Sequence, residues 1–95
     1  MELFDFNNEP TIGMDILTTY NGKTLILKNI YKYEGPITMQ YLPYGGIQSV
    51  FDYQLIINTK IGFIASRELI YDDDYYNSKD FIIKNSDLVN KILPD

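Results

Sequence analysis

The sequence predicts a mainly β fold, with α+β as its nearest alternative, and three observations carry that prediction. Apolar residues recur with a period of two in several segments. The apolar residues are dominated by isoleucine and tyrosine, with Ala65 the only alanine and Arg67 the only arginine, so good helix formers are scarce. Turn-forming residues (Asn21-Gly22, Gly35-Pro36, Pro43-Tyr44-Gly45-Gly46) break the chain at the intervals expected between strands. Ile, Asn, Lys and Tyr also share A/T-rich codons, so pattern rather than composition carries the argument.

Residues 1–13 lack a period, and Asn7-Asn8-Glu9-Pro10 reads as a loop, so Leu3, Phe4 and Phe6 are expected to anchor an N-terminal arm or short edge strand. Residues 14–20 are β-rich in type. Asn21-Gly22 follows, a pair that tolerates positive φ and the strongest hairpin signal in the chain. The return strand, residues 23–33, places Leu25, Leu27, Tyr31 and Tyr33 on one parity and Ile26 and Ile30 on the other, with Asn29 as a candidate bulge.

Ile37, Met39 and Tyr41 alternate with Thr38 and Gln40, which predicts a half-buried strand. Residues 47–58 alternate best of all: Phe51, Tyr53, Leu55 and Ile57 face one way, Gln48, Asp52, Gln54 and Asn58 the other. Thr59-Lys60 is a tight connection to residues 61–70, whose mixed parity suggests burial on both faces or a bend near Ala65-Ser66. Phe81-Ile82-Ile83 is read as a short strand. Ser86 then caps a final helix over residues 86–93, with Leu88, Val89, Ile92 and Leu93 as its apolar stripe and Pro94 as its stop.

The expected architecture is one domain over residues 1–95. It has the arm at 1–13, a five- to six-stranded antiparallel sheet within 14–83, coiled into a small SH3-like or OB-like barrel, and the short helix at 86–93 plugging one end.

A chain of 95 residues that is 45% apolar is too hydrophobic for the disordered class, despite a net charge of -5. The segment from Met1 to Glu9 carries Glu2, Asp5 and Glu9 and no basic residue, the wrong charge for a secretory or transit peptide, and no apolar run approaches membrane-spanning length. A cytoplasmic location is the expectation.

The absence of histidine and cysteine from these 95 residues removes the Ser-His-Asp and Cys-His nucleophile arrangements, every His/Cys zinc site, disulfides and thiolate chemistry. Gly45-Gly46 lacks the Gly-Lys-Ser/Thr that would make it a phosphate loop. Carboxylate pairs remain, but glycoside hydrolysis needs a sugar-sized cleft between them. The expectation is a protein that is not an enzyme and holds no cofactor.

Asp72-Asp73-Asp74 fails the EF-hand spacing, because Tyr76 stands where the third oxygen ligand belongs, so it is read as a solvated acidic loop and no metal site is assigned. Its company is more informative. Tyr71, Tyr75 and Tyr76 bracket the run, and tyrosine is favoured at protein interfaces, so these six residues form the candidate partner-binding site. A basic partner surface fits them. In general character the chain is similar to the compact acidic inhibitors that phages and mobile elements use against host nucleases and defence systems, anti-CRISPR proteins among them, although no motif ties it to a family.

The leading expectation is therefore a small interaction module that binds a larger basic, nucleic-acid-handling protein by charge mimicry. A subunit self-assembling through a sheet edge or the arm is the structural alternative. A barrel binding single-stranded nucleic acid is the third, weakened by eight basic residues against thirteen acidic ones, of which Lys23, Lys28 and Lys32 could line one strand.

Overall fold

The computed structural model describes residues 2–50 and 52–95. Asn21 and Gly22 sit at φ 52° and 74° and join β1 (Ile16–Tyr20) to β2 (Lys23–Lys28), with Tyr20 opposite Lys23. Two consecutive positive φ values give a two-residue turn whose twist matches the strands it joins. At Asn29, φ 49°, the chain leaves this ladder, and it resumes as β3 (Tyr31–Lys32) in a second sheet. The irregularity expected at Asn29 is thus a corner between sheets. Asp15 braces it, accepting from Lys28 Nζ at 2.7 Å and from the Asn29 N–H at 2.9 Å, and the Lys28 bond, with that from Asn29, holds its carboxyl below the ordinary range.

The chain continues through β4 (Ile47–Gln48), β5 (Leu55–Thr59), β6 (Gly62–Ser66), β7 (Glu68–Tyr71), β8 (Asp74–Asn77) and α1 (Ser78–Lys84). Two four-stranded antiparallel sheets result, in the orders β1-β2-β7-β8 and β3-β6-β5-β4. The bend expected near Ala65-Ser66 falls at Arg67, where β6 passes into β7 and the chain crosses back to the first sheet. Ser66 serves both corners, its hydroxyl lying 2.9 Å from the Lys28 carbonyl and 2.7 Å from that of Glu68. The main core lies between the sheets: Ile16, Tyr20, Leu25, Leu27 and Leu69 meet Ile47, Leu55, Ile57 and Ile64, with Phe6, Phe81, Leu88 and Leu93 closing the sides.

Several expectations are corrected. Residues 37–41 form no strand. Their backbone is held instead by the buried Gln48 side chain, whose Oε1 accepts the Thr38 and Met39 N–H groups at 3.1 and 3.2 Å and whose Nε2 donates to the Met39 carbonyl at 2.9 Å. This segment covers the outer face of the second sheet, where Tyr33, Ile56 and Ala65 form a smaller core with Ile37 and Phe63, which is why β5 and β6 are apolar on both faces.

Residues 47–58 are not one strand but a hairpin, Ile47 opposite Ile57, and the reversal includes Asp52 and Tyr53 at φ 56° and 50°. Gln48 and Gln54, expected on the face opposite Leu55 and Ile57, are buried as those two are, and Tyr53, expected on the same face as Leu55 and Ile57, is exposed. Phe51, placed in the same stripe, lies outside the described residues.

The helix precedes its expected position. Asn77 caps α1 by accepting the Asp80 N–H at 2.8 Å, and Phe81 and Ile82, read as a strand, are its buried face. Ser86 opens only a 3₁₀ turn, Ser86–Leu88, and Asn90 at φ 78° ends any helical course. Residues 90–93 run antiparallel to the free edge of β4, with Asn90 donating to Ile47 at 2.9 Å, Ile47 to Lys91 at 3.0 Å and Leu93 to Gly45 at 2.9 Å. Leu88 and Leu93 are buried as expected, but backbone pairing with β4 replaces the helix. In the arm, the Phe4 N–H donates to the Leu17 carbonyl at 2.8 Å, and Phe6 enters the core edge-on to Phe4 while Leu3 stays exposed.

Candidate functional site

Asp72 and Asp73 are the two central residues of the β7–β8 hairpin, at φ 50° and 70°, with Tyr71 opposite Asp74. Aspartate accepts this left-handed conformation more readily than most residues because its short side chain can bond locally. The Asp72 N–H donates to the Thr24 carbonyl at 2.9 Å, fastening this turn to the neighbouring β1–β2 hairpin. All three aspartates are solvent-exposed, and Lys23 Nζ lies 3.9 Å from the Asp72 carboxylate.

Side chains alternate across a strand, and this divides the three tyrosines. Tyr71 and Tyr76 point inward and are half-buried: Phe81 lies 5.1 Å from the Tyr71 ring and 5.6 Å from the Tyr76 ring. The Tyr71 hydroxyl donates to the Tyr20 carbonyl at 2.9 Å. Lys84 Nζ lies over the Tyr76 ring at 5.4 Å and donates to its hydroxyl at 3.3 Å. Tyr75 points the other way and is 63% exposed. It ends a row that runs across the outer face of the first sheet, Leu17, Ile26, Ile70 and Tyr75, each opposite the next in register.

Two further carboxylates reach this end of the sheet from distant parts of the chain. Asp87, beside Leu88 in the 3₁₀ turn, accepts the Tyr20 hydroxyl at 2.8 Å. Asp95 accepts the Asn21 N–H on Oδ2 at 3.3 Å and the Gly22 N–H on its main-chain oxygen at 3.1 Å, while its own N–H donates to Thr19 at 2.8 Å. Tyr20 is fully buried, and that burial, reinforced by the bond to Asp87, pushes its phenol up to about 12. The Tyr71 phenol is also raised, first by burial and then by the negative charge of Asp72, Asp87 and Asp95 among others. Three segments thus bring carboxylates within electrostatic reach of one hydroxyl.

Beside the β7–β8 turn lies a shallow depression whose lining includes Lys23, Tyr71, Asp72, Asp74, Tyr76 and Lys84. Among the described residues, no three His, Cys, Asp or Glu side chains are grouped so as to hold a metal ion. The carboxylates are spread around aromatic rings, an arrangement that suits ammonium or guanidinium groups approaching from outside.

The sequence reading contained Asp72, Asp73, Asp74 and the three tyrosines but missed Asp87 and Asp95. No local signal marks either, since each is brought to the site by tertiary pairing. Lys23, Lys28 and Lys32 do not form a row of open cations. Lys23 lies by Asp72, Lys28 bonds Asp15 and Lys32 donates to the Ile61 carbonyl in the other sheet. Among the described residues no helix is long and apolar enough to cross a membrane. No family model matches the chain, and neither a curated protein nor a solved structure is significantly similar to it.

Proposed function

We propose that the protein is a small non-enzymatic interaction module whose acidic end binds a larger basic protein, a nuclease or another nucleic-acid-handling protein, with its carboxylates standing where phosphates would. On this reading it is an inhibitor of the kind that phages and mobile elements deploy. The two sheets, joined at Asn29 and Arg67, are read as an open form of a small SH3-like or OB-like barrel that serves as the scaffold.

One observation carries the reading: the β7–β8 hairpin exposes Asp72, Asp73 and Asp74 at the end of the sheet where Asp87 holds the Tyr20 hydroxyl and Asp95 the Asn21-Gly22 turn, with Lys23 and Lys84 as the cations beside them. Such a patch steers a basic surface into encounter and strengthens as salt is lowered. The dispersal of the lysines argues against a phosphate-tracking groove.

The test is affinity capture from the native host across a salt series, comparing the wild type with Asp72→Asn/Asp73→Asn/Asp74→Asn. Expected is recovery of a basic nucleic-acid-handling protein by the wild type, with a clear loss in the variant and a flatter salt dependence. Equal recovery by both proteins at every salt concentration overturns the charge-based reading.

A further inference from the structure

We propose that the basic partner engages this protein by strand addition, laying an extended segment along the outer edge of β8 with cationic and apolar side chains in alternation. This rests on the reading above and adds the mode of recognition. It starts from how the sheet edges are closed. The outer edge of β1 is occupied by the N–H groups of Phe4, donating to Leu17, and of Asp95, donating to Thr19. The outer edge of β4 is covered by residues 90–93, and β3 is only two residues long. Among the described residues, nothing pairs with the outer edge of β8.

The register shows which groups that edge presents. The Asp72 N–H points at β2 and the Ser78 N–H at the Arg67 carbonyl. Neighbouring residues of a strand point their backbone groups in opposite directions, so Tyr71 faces Asp74 and Leu69 faces Tyr76 across bonded pairs. The N–H and C=O of Tyr75 and the N–H of Asn77 therefore point outward, a ready template for another strand.

The side chains beside that edge specify the occupant. On the outer face, a residue opposite Tyr75 would extend the row Leu17, Ile26, Ile70 and Tyr75, which calls for an apolar or aromatic side chain. Its neighbours would lie on the inner face, one beside the exposed Asp74 carboxylate, which calls for lysine or arginine, and one beside Tyr76, whose ring Lys84 already covers. A second copy of the chain fits badly. Paired antiparallel through Tyr75, it would set its own Asp74 diagonally across the ladder from the first and add a second net charge of -5. Charge complementarity selects the basic segment.

The experiment titrates the protein with the peptide acetyl-Lys-Val-Lys-Val-Lys-amide, its isomer acetyl-Lys-Lys-Lys-Val-Val-amide and a version with Glu for Lys, following backbone amide exchange by NMR. Expected is tighter binding of the alternating basic peptide, with exchange at Tyr75 and Asn77 slowed about tenfold or more. Tyr75→Pro, which removes one outward donor and no bond to β7, should abolish the preference for alternation while retaining the wild-type melting curve.

Equal binding of the two basic isomers with no slowing at Tyr75 and Asn77 overturns strand addition and leaves charge attraction standing. Undiminished binding at Tyr75 by the triple-asparagine variant overturns the charge reading and leaves the edge standing. Slowing that rises with protein concentration in the absence of peptide identifies a second copy as the occupant and overturns the proposal, as does failure of every basic peptide to bind.

Discussion

Two turns at the same end of the first sheet share a backbone and differ in chemistry. Asn21-Gly22 and Asp72-Asp73 have φ pairs of 52° and 74°, and of 50° and 70°. The first is built from the pair best suited to this turn, and Gly22 has open space where a Cβ would stand. The second achieves the same path with two consecutive carboxylates, followed by a third, opposed by one exposed lysine contact of the kind that contributes little. The neutral turn is what hairpin closure asks for. The acidic turn adds like-charge repulsion that closure does not need.

The largest effect that sharpens this contrast should come from beneath the two turns. Phe81 touches Tyr20 of one hairpin and Tyr71 and Tyr76 of the other, so Phe81→Ala should cost about 3–5 kcal/mol in urea unfolding. A loss under about 1 kcal/mol would show that the hairpins do not share this support.

Next comes alkaline pH. The fold favours the neutral Tyr20 phenol, so its contribution is full below the ordinary tyrosine value of about 10 and is lost as pH rises through the folded value near 12. Thermal unfolding over that range, with tyrosinate absorbance as the probe, should show a steep decline that Tyr20→Phe makes shallower. The same slope in the variant would assign the decline to other groups.

Exchanging the turn chemistry is the most direct attack on the comparison. Asp72→Asn with Asp73→Gly should stabilise the protein by about 1 kcal/mol while weakening capture of the proposed basic partner. A destabilised variant would mean that the aspartates serve the turn itself. The smallest effect belongs to Lys23→Gln, expected to stay within about 0.5 kcal/mol in the same unfolding assay because the pair with Asp72 is exposed. A larger loss would make that ion pair part of what holds the acidic turn.

The residues that read correctly from sequence are those whose chemistry acts on their own backbone. Asn21-Gly22 closes a hairpin and the chain bends beside Ser66, whereas Asn29, expected as a bulge within one strand over residues 23–33, is the corner where that strand ends and the chain passes to the other sheet. The misreadings share a cause. A period of two in the sequence settled neither which residues are covered nor which backbone groups pair. Residues 37–41 form a loop held by Gln48 with Tyr41 exposed, and residues 47–58 fold back as two strands of a hairpin in which Gln48 and Gln54 are buried. Leu88 and Leu93 likewise suited a helix, yet they are buried from a 3₁₀ turn and a segment paired with β4.

The candidate site divides along the same line. The Asp72–Asp74 run and its tyrosines lie within a few residues of one another and could be found by reading along the chain. That Tyr75 faces away from Tyr71 and Tyr76 followed only once β8 was known to be a strand.

By itself the sequence determined the chemistry on offer: carboxylates and phenols without histidine or cysteine, turns where asparagine, aspartate and glycine tolerate positive φ, and enough alternating apolar residues to bury as sheets. Tertiary structure alone decided which backbone edges are covered and which, among the described residues, is open, and it alone carried Asp87 to the Tyr20 hydroxyl and Asp95 to the Asn21-Gly22 turn. The reason is one of range. A dihedral preference is local to its residue, whereas a hydrogen-bond partner or a neighbouring charge belongs to whatever segment the closed chain brings alongside.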